Sequence, residues 1–421
     1  MTDRRLMRHL VVVLMSALCI AGGCTAPPTE DASDGDWVGT ITTEGNVTTV
    51  INESGSVWGG TATLIEEASI GVEAGADEYV LGRILSVAAG DDRIYVLDRR
   101  GPVLRVYDFA GTHVMNIGRP GRGLGEFGLL ASVAVAPNET IFVRDVGNSR
   151  FSVFDRDGVL VDTWPTDEGG ATLWETVISA DGTAYVPFSL GPDPTTRRGV
   201  IGFVPYGPEG ALGEPLMPPD FGYEQPRLRS GPLSGPVPFS PRQVTVVSPL
   251  GAVVSGIGNE YEIEVRYFDG RVTRIVREAP PVPVSADEAA WYERAETARM
   301  REPDPSWSWS GPGVPDRKPY FDELYADASG RIWVSRSGPS SRVADCEENP
   351  APGVAYTACW ENTTFTEVFD ADGRFLGGID FPRQDGFQRN FMRDDTVIKQ
   401  VEDDAGTIMV KRYRLVLPGE Q

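Results

Sequence analysis

Between Ile94 and Asp155 the chain alternates short apolar runs with turn residues in two matching copies. The first reads Ile94-Tyr95-Val96-Leu97-Asp98, then Leu104-Arg105-Val106-Tyr107-Asp108. The second reads Ile141-Phe142-Val143-Arg144-Asp145, then Phe151-Ser152-Val153-Phe154-Asp155. Asp98 to Asp145 is 47 residues, and so is Asp108 to Asp155. A constant offset of this size marks a repeat architecture. Each copy is flanked by two more extended stretches: Leu85–Ala89 and His113–Ile117 in the first, Ser132–Ala136 and Leu160–Trp164 in the second. Strands punctuated by Gly and Asp turns at this spacing predict a four-stranded antiparallel meander. Asp108-Phe109-Ala110-Gly111 and Asp155-Arg156-Asp157-Gly158 mark equivalent turns, where positive φ or side-chain-to-backbone bonds are needed.

Weaker copies follow. Val177–Val186 with Val200–Tyr206 predicts a third blade, and Val244–Val247, Ala252–Ser255 and Tyr261–Phe268 a fourth. Phe321–Asp327, Ile332–Ser335, Thr364–Phe369 and Phe375–Ile379 predict a fifth, and Thr396–Glu402 with Thr407–Leu417 a sixth that lacks one strand. The Thr- and Val-rich stretch 37–51 is expected to supply it, pairing with 396–417 and closing a ring without free edges. The fold expected is all-β: six four-stranded antiparallel blades over 37–421. Insertions are expected at about 205–241, 284–319 and 337–361. One helix is expected, starting at the capping box Ser285-Ala286-Asp287-Glu288, with Trp291, Ala295 and Ala298 on its buried face.

The Gly-rich loop 118–127 ending in Phe127, the strand Ile141–Asp145, and Gly147-Asn148-Ser149-Arg150 before Val153-Phe154-Asp155 resemble NHL-type β-propeller repeats over roughly 84–164. The first copy departs from that pattern, with Arg99-Arg100-Gly101-Pro102 in place of the Gly-Asn pair. Together with its N-terminus, the chain resembles the bacterial six-bladed β-propeller lipoproteins.

That N-terminus has a basic start at Arg4, Arg5 and Arg8, a 12-residue apolar run Leu10–Ala21, and Ala21-Gly22-Gly23 before Cys24. The run is too short to span a bilayer and reads as an export signal. Its end resembles a lipobox with Ala21 where Leu is usual, which implies a signal peptide 1–23 and lipidation at Cys24. Residues 24–36, rich in Pro, Asp, Glu and Ser, read as a flexible tether. With Cys19 lost and Cys24 lipidated, Cys346 and Cys359 remain as an even pair, expected to form a disulfide outside the cytoplasm.

The chain carries a formal charge of −23. The signal holds three Arg and one Asp, so its removal makes the body more acidic still. Nucleic acid and anionic lipid are thereby excluded as partners of a generic basic face. Gly123-Leu124-Gly125-Glu126-Phe127-Gly128 fits a dinucleotide fingerprint in letters only, because strands surround it and no helix follows. After export one histidine is left, His113, in a strand. No catalytic residue and no cofactor are assigned. The turns at Asp155 and Asp370 lack the Glu that an EF-hand needs at its twelfth position, and Asp98 and Asp145 are expected to tie down turns. Trp307 and Trp309 in a Pro-rich loop, and Arg119 and Arg122 in the Gly-rich loop, are the ligand-contact candidates.

The function expected is a binding module of the cell envelope. It would be lipid-anchored at the outer membrane or the periplasmic face of the inner membrane, with a protein, peptide or glycan ligand. The alternatives are a propeller hydrolase or lyase with a central Ca²⁺, and a structural part of an envelope complex.

Overall fold

A computed structural model describes residues 35–166, 175–189, 201–380, 390–403 and 405–420. The signal, Cys24 and the tether up to residue 34 lie outside the described residues. Blade one is Ile84–Ala89, Arg93–Asp98, Val103–Asp108 and His113–Ile117, each strand antiparallel to the next. Blade two repeats it with Leu130–Val135, Ile141–Asp145, Arg150–Phe154 and Leu160–Pro165. Blade three has Val177–Ile178, Ala184–Ser189 and Ile201–Tyr206, and single bridges to Leu212 and Leu216 trace its outer edge. Blade four is Val244–Ser248, Ala252–Gly256, Glu262–Tyr267 and Val272–Arg277. Blade five is Phe321–Ala326, Ile332–Arg342, Trp360–Phe369 and Phe375–Asp380.

Blade six takes three strands from the C-terminal part of the chain: Asn390–Arg393, Thr396–Glu402 and Ile408–Val416. Its fourth is Thr61–Ile70, antiparallel to Ile408–Val416. The stretch 37–51 does not close the ring. It forms the hairpin Val38–Glu44/Val47–Ser54, which extends blade four by parallel pairing with Val272–Arg277. Both stretches can form strands, and the burial pattern decides between them. Ala62, Ala68 and Ile70 are buried, whereas the first hairpin strand is almost wholly exposed. Glu66 and Glu67 fix the closing strand's register through ion pairs to Lys411, Arg412 and Arg414 at 2.8, 2.6 and 2.9 Å.

The core is a set of layers between blades. Leu97, Val106, Phe127 and Val143 fill the space between blades one and two. Phe142, Trp164, Val186 and Tyr206 fill two–three, and Tyr185, Phe203 and Val247 fill three–four. Ile263, Ile275, Phe321 and Phe369 fill four–five, and Trp333, Val368, Val397 and Tyr413 fill five–six. Ile70, Ile84, Ile94, Ile398 and Val410 fill six–one. The sixth layer joins the two ends of the described chain, so the ring is closed. Sandwiching between neighbours also explains why strands such as Ile94–Asp98 are buried on both faces. Each buried aliphatic or aromatic side chain contributes roughly 1.5–3 kcal/mol.

Candidate functional site: the insertion-bearing end and the axis

In a meander, successive connections fall at alternate ends of the sheet. At one end of this ring they are all short, among them 90–92, 109–112, 136–140, 155–159, 327–331 and 370–374. Asp108, Asp155, Asp327 and Asp370 each hold such a turn, Oδ1 accepting the backbone N–H groups two and four residues on. The following glycines, Gly111, Gly158, Gly330 and Gly373, supply the positive φ. Among the described residues the opposite end carries the long connections: 71–83, 118–129, 217–243, 278–320 and 343–359.

There the insertions pack on one another. The helix Ala286–Met300 (α1) is capped by Ser285, whose hydroxyl accepts the Glu288 N–H at 3.1 Å. Trp291 lies on Ala295 and the buried Cys359, and donates its indole N–H to the Glu347 carbonyl at 2.9 Å. Cys346 and Cys359 are disulfide-bonded. Met300 and Trp307 pack with Leu228 of the hairpin Arg227–Ser230/Leu233–Pro236 and with Val237, which follows it. Beneath the helix, Lys318 donates to the Gly338 carbonyl at 2.9 Å and to Asn362 Oδ1 at 2.7 Å, 3.8 Å from Glu288. Burial lowers the Lys318 pKa, and Glu288 opposes that shift.

The first strand of each blade lies innermost, and its mid-strand polar residues meet around the axis. Ser86 of blade one accepts the Val133 N–H at 3.1 Å and donates to Glu175 Oε2 at 2.6 Å. Ser132 of blade two and Thr176 share a bond of 2.8 Å. In blade four Thr245 and Ser255 do the same at 2.8 Å. Glu175 enters blade three, reaches blade one, and its charge is felt by Tyr325 of blade five, so it sits where three blades converge. Burial and the neighbouring Asp327 raise the Tyr325 pKa. Burial also raises that of Asp322, against the pull of Arg242. Arg144 and Lys399 are wholly buried at equivalent second-strand positions, opposite Ser132 and Asn390. Ser86, Ser132, Thr176 and Glu175 thus gather hydroxyls and a carboxylate at the inner edges of blades one to three, with Arg144 and Lys399 buried one strand further out.

The sequence-predicted residues fall unevenly. Arg119 is exposed and paired with Glu126 at 2.8 Å, Arg122 is exposed beside it, and both lie at the insertion-bearing end. Hydrogen bonds from the Gly123 N–H and Arg119 lower the Glu126 pKa. Gly118 holds φ +80° in this loop, and a Cβ there would strike the Phe127 ring. Trp307 is not solvent-facing. It is 9% exposed and donates to the Arg229 carbonyl at 2.7 Å, because the hairpin 227–236 folds over it. Trp309 is half-buried and donates to the Pro312 carbonyl at 3.1 Å. Asp98 accepts from the N–H groups of Gly82 and Arg100, and Asp145 from those of Gly128, Leu129 and Asn148. His113 lies on the outermost strand of blade one, against Asn116 and the Tyr107 ring, away from the axis. Among the described residues one group of three His, Cys, Asp or Glu side chains is close enough to hold a metal: Cys346, Glu348 and Cys359. Its two sulfurs are joined to each other, so it offers no thiolate. The axial residues went unnoticed in the sequence, although Ser86-Val87-Ala88 and Ser132-Val133-Ala134 repeat a polar residue inside an apolar strand.

Residues 72–165, which take in blades one and two, match the model of the DUF5128 family, described as a 6-bladed beta-propeller. Among curated proteins none matches the chain in sequence. Similar solved structures include a member of the DUF4221 family from Bacteroides vulgatus, 12% identical over 85% of this chain and 99% of that one, TM-score 0.49. Virginiamycin B lyase from Staphylococcus aureus is 9% identical over 83% and 98%, TM-score 0.35. A gluconolactonase from Xanthomonas campestris is 13% identical over 80% and 87%, TM-score 0.31. None of these likenesses bears on what this chain binds. The fold is that of a six-bladed β-propeller, with the N-terminal strand Thr61–Ile70 inside its last blade.

Proposed function

We propose that this chain is an exported β-propeller, lipid-anchored to the bacterial cell envelope through Cys24, whose insertion-bearing end is a binding face. The observation that carries the reading is the asymmetry of the ring among the described residues: short Asp- and Gly-built turns at one end, the long insertions at the other. Inserted loops on a rigid scaffold are where recognition concentrates. Arg119 and Arg122 belong to this end, as does the cap built from α1, the hairpin 227–236 and the disulfide loop. The anchor rests on the export signal and the lipobox resemblance, and places the module at the outer membrane or the periplasmic face of the inner membrane. The ligand is a protein, peptide or glycan of that compartment.

Two experiments test this. Cys24→Ala should abolish acyl labelling and release the protein from the membrane fraction; unchanged fractionation sinks the anchor. Cross-linking in envelope extracts should lose its partner when the hairpin 227–236 is trimmed to a Gly-Ser turn, and keep it when turns 109–112 and 155–159 are replaced. The reverse pattern sinks the binding face.

A further inference from the structure

A cleft of about 380 Å³ opens where blades four and five meet. Arg277, Arg336, Glu367, Phe365 and Phe375 line it, with the backbone of Gly59–Thr61 beside them. Arg277 ends the outer strand of blade four, while Arg336 and Glu367 come from the second and third strands of blade five.

Two cations face one carboxylate. Arg277 Nε donates to Glu367 Oε2 at 3.2 Å, and Arg336 Nη1 reaches Oε1 at 3.4 Å. The buried Tyr261 hydroxyl also donates to Glu367 Oε2. The side chains of Arg277, Arg336 and Glu367 are 15%, 17% and 7% exposed. Asp36 also lines the cleft, but it is exposed and its Oδ1 accepts the Ser56 N–H. The inner cleft therefore keeps one positive charge in a chain whose formal charge is −23.

That charge comes with unspent donors. Arg277 makes no side-chain hydrogen bond beyond the one from Nε among the described residues, which leaves both terminal nitrogens of its fork. Arg336 is more fully used: Nη2 donates to the Pro280 carbonyl at 3.3 Å, and its Nε is buried with no partner among the described residues. The two Arg277 terminal nitrogens are not buried like that Nε; they open on the cleft, where an anion's oxygens can take them. The Arg277 guanidinium lies over the Phe375 ring, 3.4 Å from its centroid, which fixes the plane of the fork. A planar, fixed fork fits the two oxygens of a carboxylate. Phe365, 46% exposed at the rim, offers an apolar face for the rest of the molecule. A net charge of one suits a monoanion better than a phosphate dianion.

We propose that the cleft between blades four and five binds small monocarboxylates that carry an aromatic or aliphatic body, with the Arg277 fork on the carboxylate, Arg336 holding Glu367 beside it, and Phe365 on the body. The proposal goes beyond the reading of this chain as a binding module: it adds a small-molecule ligand to the envelope partner.

Isothermal titration with phenylacetate, phenylacetamide and inorganic phosphate tests it on the purified chain. Phenylacetate should bind, the uncharged amide at least tenfold more weakly, and phosphate should not compete. Arg277→Gln should weaken phenylacetate at least tenfold. Since that change touches a buried pair, Phe365→Ala is measured beside it: it lies outside the charge cluster and should cost about threefold with the melting temperature unchanged. Equal binding of acid and amide, tighter binding of phosphate, no binding of phenylacetate by the unaltered chain, or no loss in Phe365→Ala would each overturn the proposal. Envelope cross-linking that survives all of these failures would leave the binding-module reading standing.

Discussion

Asn52 and Phe375 stand 323 residues apart, yet Asn52 Oδ1 accepts the Phe375 backbone N–H at 2.7 Å. The same oxygen takes the Trp37 indole N–H at 2.8 Å, and Nδ2 donates to the carbonyls of Val276 and Gly373 at 3.2 and 3.0 Å. One side amide, 1% exposed, thus stitches the N-terminal hairpin to blades four and five. Asn52→Ala would strand two donors and two acceptors, the Phe375 N–H and the Gly373 carbonyl in buried bonds. The expected loss is about 2–4 kcal/mol, read as a lower midpoint in urea with an unchanged slope.

The closing strand gives a second test. Ala62 is fully buried in Thr61–Ile70, whereas Ile41 is 51% exposed in the hairpin on blade four. Ala62→Asp places an unpaired charge between blades five and six and should abolish the cooperative unfolding transition. Ile41→Asp should shift the midpoint by under about 0.5 kcal/mol. Equal damage from both would mean that the hairpin is as integral to the ring as the closing strand.

Asp327 predicts a pH effect. Burial raises its pKa from 3.8 to about 6, against the Trp333 indole and the N–H groups of Arg331 and Ser329, which favour the charge. Between those two pH values the folded chain binds more protons than the unfolded one, so stability falls as pH rises from about 4 to about 6. A shift of this size corresponds to on the order of 3 kcal/mol. Asp327→Asn should flatten that part of the curve of melting temperature against pH relative to the unaltered chain.

Reduction of the Cys346–Cys359 bond should act locally. A loop of this length contributes roughly 3 kcal/mol in the chain-entropy model. The loop meets the rest of the insertion through Trp291 and Arg294 of α1, which donate to the carbonyls of Glu347 and Glu348. Cys346→Ser with Cys359→Ser should speed proteolysis within 343–361 severalfold while fragments from blades one and two stay protected.

Blades one and two were legible because Ile94–Asp98 and Ile141–Asp145 keep both spacing and composition. The closing strand was not. Its alternation is broken by Glu66-Glu67 beside an irregular register opposite Arg412 and Tyr413, which hides the buried positions Ala62, Ala68 and Ile70. Trp307 misled because its partner, the Arg229 carbonyl, lies 78 residues away on a hairpin that local pattern does not place. The pairing of Cys346 with Cys359 was readable by counting once Cys19 and Cys24 are assigned to the export signal and its lipobox. The Arg277, Arg336 and Glu367 cluster was invisible, since nothing in one blade's sequence reports which side chains of the next blade it faces.

Blade six borrows its outermost strand from the N-terminal part of the chain, and that has a consequence in time. During synthesis Thr61–Ile70 emerges early; Thr61–Thr63 can pair with Gly378–Asp380, but the rest stays an unpaired edge until Ile408–Val416 has been made. A nascent chain halted anywhere between them carries an open edge and an unfilled layer of Ile70, Ile84 and Val410. The ring therefore acts as a check on completeness: only a chain translated through Ile408–Val416 can cover the whole of Thr61–Ile70, and unfinished products remain visible to proteases.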